Sequence, residues 1–131
     1  MNDPLDMSGV WYGRYHSRME PQDNSFIALI EEAAGGFAGT ISEPDGSGGI
    51  RGATALGRRT GQALYFIKQY KGRWNHAVRY SGRIDGEGKI VSGSWNLDGL
   101  VGSFEMQREI FYEDELEDDL SQDIVEPVSL L

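Results

Sequence analysis

The sequence predicts an all-β protein: an eight-stranded antiparallel up-and-down β-barrel followed by an acidic C-terminal segment with helical spacing. Three observations carry that expectation. The stretch Tyr65–Arg108 alone holds three alternating apolar and polar runs, the pattern of a meander. The connections between runs are only a few residues long, whereas parallel strands need crossovers of a dozen residues or more. Turn signals separate the runs, with Asp85-Gly86 and Asp98-Gly99 supplying the positive φ that tight hairpins require. Sequential antiparallel strands remove their exposed edges by closing into a barrel; an open sandwich is the alternative.

In chain order, Ser8–Arg18 alternates Trp11, Gly13, Tyr15 and Ser17 with Tyr12, Arg14, His16 and Arg18 and reads as the first strand. Met19–Asn24, with Pro21 and Asp23, is a loop. Ser25–Ala33 is a second strand, with a short helix as rival because Ala and Glu favour helix. Gly35-Gly36 turns the chain into Phe37–Ser42, and Glu43–Gly49 reads as a loop by composition. Ile50–Arg58, Ala63–Tyr70, Ala77–Ile84, Lys89–Asn96 and Leu100–Arg108 complete the eight. Period-two counting puts Gly13, Gly82, Gly93 and Gly102 on the face that carries Trp11, Tyr80, Trp95 and Phe104. By the same counting Gly39 joins Phe37 and Ile41, and Gly52 joins Ile50 and Leu56. Such glycines either let the wall curve or leave room for a ligand.

Charge divides the chain. All 12 basic residues and 12 of the 21 acidic ones lie in residues 1–108, and residues 109–131 hold nine acids and no base. Between Gly46 and Ile84 there are eight Lys or Arg and no carboxylate. The domain boundary therefore falls at 108, with a barrel domain over 1–108 and an acidic segment over 109–131. In that segment Tyr112, Leu116, Leu120 and Ile124 recur every fourth residue, a narrow apolar stripe on an acidic helix ending near Pro127. Its acids complement the basic strands, which points to docking on the barrel or on a neighbouring copy.

Several function classes are excluded or ranked low. The chain has no cysteine, which removes disulfides, thiolate chemistry and iron–sulfur clusters. Met1–Gly13 has no basic segment and no apolar run typical of a signal peptide, and no run approaches the ~20 apolar residues of a membrane helix. The expectation is a cytoplasmic protein with no membrane partner. His16 and His76 are the only histidines, and their spacing predicts no metal site. Gly46–Gly49 and Gly86–Lys89 read as turns, since neither opens a helix after a strand. Aromatics interleave with basic residues in Tyr65–Trp74, as a single-strand stacking platform would require. The neutral body and acidic tail rank nucleic acid below other partners.

The inward face collects Tyr15, Phe66, Tyr70, Tyr80, Trp95 and Phe104. These form either a mostly apolar pocket with a few fixed polar tips or a packed aromatic core. Lys68 shares the Leu64, Phe66 and Tyr70 face. Pointing inward it needs an anionic partner from the protein or a ligand; pointing outward or to the mouth it is solvated.

Gly9-Val10-Trp11 at the first strand, with Arg108 ending the last, resembles the signature of the calycin barrels, which include lipocalins, fatty-acid-binding proteins and avidins. The opening VWYGRYHS followed by FAGTIS, with Gly39-Thr40 in an early strand, is most similar to avidin-like proteins. The resemblance implies that Trp11 closes one barrel end and that Arg108 lies across it. Ser17 matches a polar ligand-contacting position of the avidins, but Gly13 stands where they carry Asn and Ile41 where they carry Tyr. The stretch Arg108-Glu109-Ile110 lacks the Arg-x-Tyr pair of fatty-acid-binding proteins, and the last two strands lack the histidine of haem-binding barrels. The resemblance thus implies a fold and no particular ligand or cofactor.

The function expected from these features is binding of a small, mainly apolar or anionic molecule inside the barrel, through Tyr15, Phe66, Lys68, Tyr70, Tyr80, Trp95 and Phe104. The alternative is a filled barrel acting as an interaction module through its acidic tail and basic face, with a second copy among its partners. No acid–base pair for catalysis is legible, and no cofactor is expected.

Overall fold

A computed structural model describes residues 3–18, 24–72 and 76–109. Its strands are β1 (Gly9–Ser17), β2 (Asn24–Ala33), β3 (Gly36–Pro44), β4 (Ile50–Thr60), β5 (Ala63–Tyr70), β6 (Ala77–Ile84), β7 (Ile90–Leu97) and β8 (Leu100–Arg108). Each pairs antiparallel with the next, and β8 pairs back onto β1 from Trp11 opposite Arg108 to Ser17 opposite Gly102. The ring is therefore closed and leaves no unpaired edge. The acidic segment from residue 110 onward, with its helical spacing, lies outside the described residues. Among the described residues no helix is long and apolar enough to cross a membrane.

Local chemistry explains most boundaries. The β2–β3 and β7–β8 hairpins turn on Ala34-Gly35 (φ 54° and 85°) and Asp98-Gly99 (φ 50° and 94°), two positive values in succession as a type I′ turn demands. The β6–β7 connection differs from its expected Asp85-Gly86 turn: the positive φ falls on Gly88. The Asp85 carboxylate instead accepts hydrogen bonds from the Lys89 and Ile90 amides at 2.7 and 3.2 Å. β2 is a strand and not a helix, because strand alternation buries Phe26, Ala28 and Ile30 while exposing Ile27 and Leu29. β3 runs past Ser42 to Pro44, which carries Glu43, expected in a loop, into the barrel wall.

The interior is narrow and its volume is shared between large and small side chains. Phe66 and Tyr80 stack with centroids 4.6 Å apart, and Phe104 meets Tyr80 edge-on at 4.9 Å. Facing strand β4 supplies only Ala53, Ala55 and Gly57 to this region. The expectation that Ile50 and Leu56 share the inward face is thereby corrected: they are 78% and 69% exposed. Bulky residues at the inward positions of β4 would collide with rings already crossing the barrel. The glycines are likewise filled from within. At Gly13 the Phe26 ring occupies the place of a side chain, 2.1 Å from where a Cβ would stand. At Gly57 a Cβ would lie 2.2 Å from the Tyr65 carbonyl oxygen and 2.5 Å from Phe66 Cβ.

One end of the barrel is crossed by residues 3–8. Trp11 and Met7 are fully buried there, and the Trp11 indole N–H donates to the Met7 carbonyl at 2.9 Å. The Arg108 guanidinium lies 4.5 Å from the Trp11 ring centroid and donates to the carbonyls of Gly88, Ser8 and Asp6. Beside it, Arg59 grips Glu32 through two bonds of 2.8 Å and reaches Asp3 at 2.8 Å. A planar guanidinium matches the carboxylate in this bidentate way, so the lead-in segment is tied to β2, β4 and β8 at once.

Gly57→Ala is expected to destabilise the barrel by about 1–3 kcal/mol, the usual range for overpacking. Gly86→Ala, at a position with nothing within 4 Å of the added carbon, is expected to change stability by less than about 0.5 kcal/mol. Urea denaturation of the two variants checks the contrast.

Candidate functional site

At the opposite end of the interior sits a buried charge cluster. Lys68 is 0% exposed and Glu43 is 2% exposed. The Lys68 Nζ stands 3.0 Å from Glu43 Oε1. The strand pattern puts both there. β5 alternates strictly, so the face that buries Leu64, Phe66 and Tyr70 also buries Lys68. β3 buries Phe37, Ile41 and Glu43 by the same rule. The Lys68 orientation that is solvated is thus ruled out by geometry, and its anionic partner comes from the protein itself.

Aromatic rings surround the cation. Its nitrogen lies 4.4 Å from the Tyr15 ring centroid, 4.8 Å from Tyr70, 5.0 Å from Phe26 and 5.7 Å from Tyr80. Ring faces at these distances attract a cation, more strongly when water is excluded. The hydroxyls point at the carboxylate: Tyr15 donates to Glu43 Oε2 at 2.7 Å, and the Tyr15 and Tyr70 hydroxyl oxygens are 3.3 Å apart. Arg51 completes the group. Its guanidinium lies 5.1 Å from the Tyr70 centroid, and its Nε is 3.9 Å from Glu43 Oε1. That Nε is buried without a hydrogen-bond acceptor among the described residues.

Burial sets the protonation behaviour. Desolvation pushes the Lys68 ammonium down to about 8, against the opposing pull of Glu43. Burial is also the largest cause acting on the tyrosines: Tyr15 rises to about 12, and Tyr70 and Tyr80 rise well above their ordinary values. The cluster brings two basic side chains, buried Lys68 and Arg51 at its one-third-exposed edge, to a single acidic side chain, Glu43. Basic groups therefore outnumber acidic ones beside a cage of aromatic rings.

All seven interior residues expected from the sequence face inward. Lys68, Tyr15, Tyr70 and Tyr80 meet directly around Glu43. Trp95 stands edge-on to Tyr15 at 6.2 Å and donates its indole N–H to the His16 carbonyl. Phe66 and Phe104 lie deeper, in the stacked layer below Tyr80. Sequence reasoning missed Glu43, Arg51 and Phe26. Alternation continued two residues past Ile41 was the signal for Glu43. His16 and His76 are exposed, His16 beside the Ser103 hydroxyl. No group of three or more His, Cys, Asp or Glu able to hold a metal occurs among the described residues.

A groove of about 750 Å³ lies along β1, β2, β3 and β8, lined by Tyr12, Arg14, Ile27, Pro44 and Ile50 and also by Phe26 and Glu43 of the cluster.

No protein-family model and no curated protein matches the chain. Among solved structures, the chain is similar to a de novo designed fluorescence-activating β-barrel, with a TM-score of 0.62 and 16% identity, over 83% of this chain and all of that one. A mutant of the fluorescent protein UnaG aligns with a TM-score of 0.49 and 9% identity, over 79% of this chain and 96% of that one. At such identity the designed barrel establishes the fold alone, an eight-stranded up-and-down β-barrel.

The depressed Lys68 value has a definite sign. Between pH 8 and the ordinary lysine value the unfolded chain binds the proton that the folded chain has released, so stability rises with pH. Above about pH 10 the unfolded tyrosines ionise while buried Tyr15 keeps its proton to about 12, so stability falls again as the unfolded state loses protons. Chemical denaturation across pH 7–11 is expected to show a rise of about 2–3 kcal/mol from the Lys68 shift, then a decline. In Lys68→Met the rise is expected to vanish.

Proposed function

We propose that this barrel is a calycin-type binding module for a small molecule with a mainly apolar body and one anionic group, held at the end that carries Tyr15, Lys68, Tyr70 and Trp95. The single observation behind this reading is the charge balance of the buried cluster. Lys68 inside an aromatic cage and Arg51 at its part-exposed edge share one carboxylate, so a second anion is electrostatically accommodated. A core selected for stability alone has little use for such a group, because replacing a buried ion pair with apolar residues is often neutral or stabilising. Ligand sites, by contrast, are mostly apolar with a few convergent polar groups, and perturbed ionisable residues concentrate at them.

In this reading the anionic group meets Lys68 and the free Nε of Arg51, and competes with Glu43 for the ammonium. The Tyr15 and Tyr70 hydroxyls orient it, and the rings of Tyr15, Tyr70, Tyr80 and Trp95 contact the apolar body. Phe66 and Phe104 form the floor of the site. Trp11 and Arg108 close the far end and keep it dry. The similar designed barrel is a fluorescence-activating one, which fits a binding role for a barrel of this fold. The rival reading, a filled interaction module, draws on the same tight interior. The buried Lys68 favours the binding reading, since filling alone does not need it.

The test is titration with 8-anilinonaphthalene-1-sulfonate, an aromatic sulfonate of the required chemistry, followed by its fluorescence. Saturable one-to-one binding is expected. Lys68→Met is expected to weaken it by about tenfold or more, the scale of a hydrogen bond to a charged group, and Glu43→Gln to tighten it by removing the competitor. Absence of saturable binding, or unchanged binding by a Lys68→Met variant with native circular dichroism, contradicts the proposal.

A further inference from the structure

The outer wall of β4 and β5 carries an apolar patch that nothing among the described residues covers. Leu56, Tyr65 and Ile67 are 69%, 54% and 43% exposed. They are neighbours, since Leu56 lies opposite Ile67, and Arg58 opposite Tyr65. Basic residues border the patch: Arg79 lies opposite Ile67, and Arg83 opposite Ala63. The exposed Arg58, Arg79 and Arg83 form no salt bridge among the described residues. One exposed carboxylate, Glu31, stands at the β2 margin, opposite Ala38, which in turn faces Leu56. An exposed apolar patch with a charged rim marks an interaction surface.

We infer that the occupant of this patch is the acidic segment 112–124 of a second copy of the chain. Charge complementarity selects the segment. It offers Tyr112, Leu116, Leu120 and Ile124 at helical spacing among carboxylates with no basic residue of its own, which matches an apolar strip bordered by unpaired arginines. The outer groove between β1, β2 and β8 is a poorer match, because its Arg14 already lies opposite Glu105.

Reach selects the second copy. The segment leaves the wall after Glu109, whose amide still donates to the Val10 carbonyl, and β5 and β4 are three and four positions from β8 around the closed ring. With strands about 4.8 Å apart, the path along the wall is at least ~14–19 Å. The three residues after Glu109, up to Tyr112, span at most ~10–11 Å fully extended. A chain therefore cannot seat the whole stripe, starting at Tyr112, on its own patch. Two copies exchanging segments each satisfy the other, which gives a symmetric dimer with two equivalent contacts.

The experiment is native mass spectrometry and sedimentation of the full chain at low salt and near 1 M salt, where screening acts within about 3 Å. A dimer at low salt that weakens at high salt is expected. Leu116→Asp with Leu120→Asp in the acidic segment is expected to give a monomer, as is Arg79→Glu with Leu56→Asp on the patch. Mixing the two variants is expected to restore a mixed dimer, because one intact segment then meets one intact patch. A monomeric wild-type chain at low salt overturns the proposal in favour of docking within one chain or none. A dimer that survives the segment substitutions overturns it in favour of another interface.

Discussion

The ion pair between Lys68 and Glu43 constrains the rest of the interior. A lysine that is fully enclosed has lost its hydration, and that loss is tolerable only with a charge partner and further polar contacts. Glu43 supplies the charge at 3.0 Å, four aromatic rings supply their negative faces, and Tyr15 completes the carboxylate with its hydroxyl. Turning either strand over would leave one ion without the other, so the pair locks the parity of β3 and β5. The strands between and beside them follow through the antiparallel register.

The two ends of the barrel meet the burial of charge in different ways. Arg59 and Glu32 form a two-bond pair that is also anchored to Asp3, and Arg108 spends its donors on three backbone carbonyls while covering Trp11. Those groups are satisfied and hold the lead-in segment in place. The Lys68 end keeps an excess of cations and a donor on Arg51 without an acceptor among the described residues. Saturated geometry serves closure; the unsaturated end is the one proposed to bind a ligand. Between the ends, the stacked rings of Phe66, Tyr80 and Phe104 set the available volume, and β4 answers with alanine and glycine.

Much of this was legible in the sequence, and the failures have physical causes. The eight strands and their short connections follow from alternation and turn chemistry, and Ala63–Tyr70, Ala77–Ile84 and Leu100–Arg108 appear with the expected limits. The inward placement of Tyr15, Phe66, Tyr70, Tyr80, Trp95 and Phe104 follows from period two. The parity of β4 did not, because hydrophobicity favours burying Ile50 and Leu56 while the inner wall has room only for Ala53, Ala55 and Gly57. Glu43 was hidden by its neighbours: Pro44-Asp45-Gly46 signals a loop, and composition cannot show that the wall continues two residues further. The orientation of Lys68 depends on that same residue, since a buried lysine is implausible until its partner is in view.

The enclosure of the Lys68 ammonium by one carboxylate and a cage of rings is read out by its own titration. Heteronuclear NMR of the lysine side-chain carbons, with Lys68→Met to assign the signal, reads the value in the intact protein. A midpoint of about 8 is expected in the free protein, moving upward when an aromatic sulfonate binds, because a second anion stabilises the charged form. A midpoint at the ordinary lysine value, indifferent to the added anion, would contradict it.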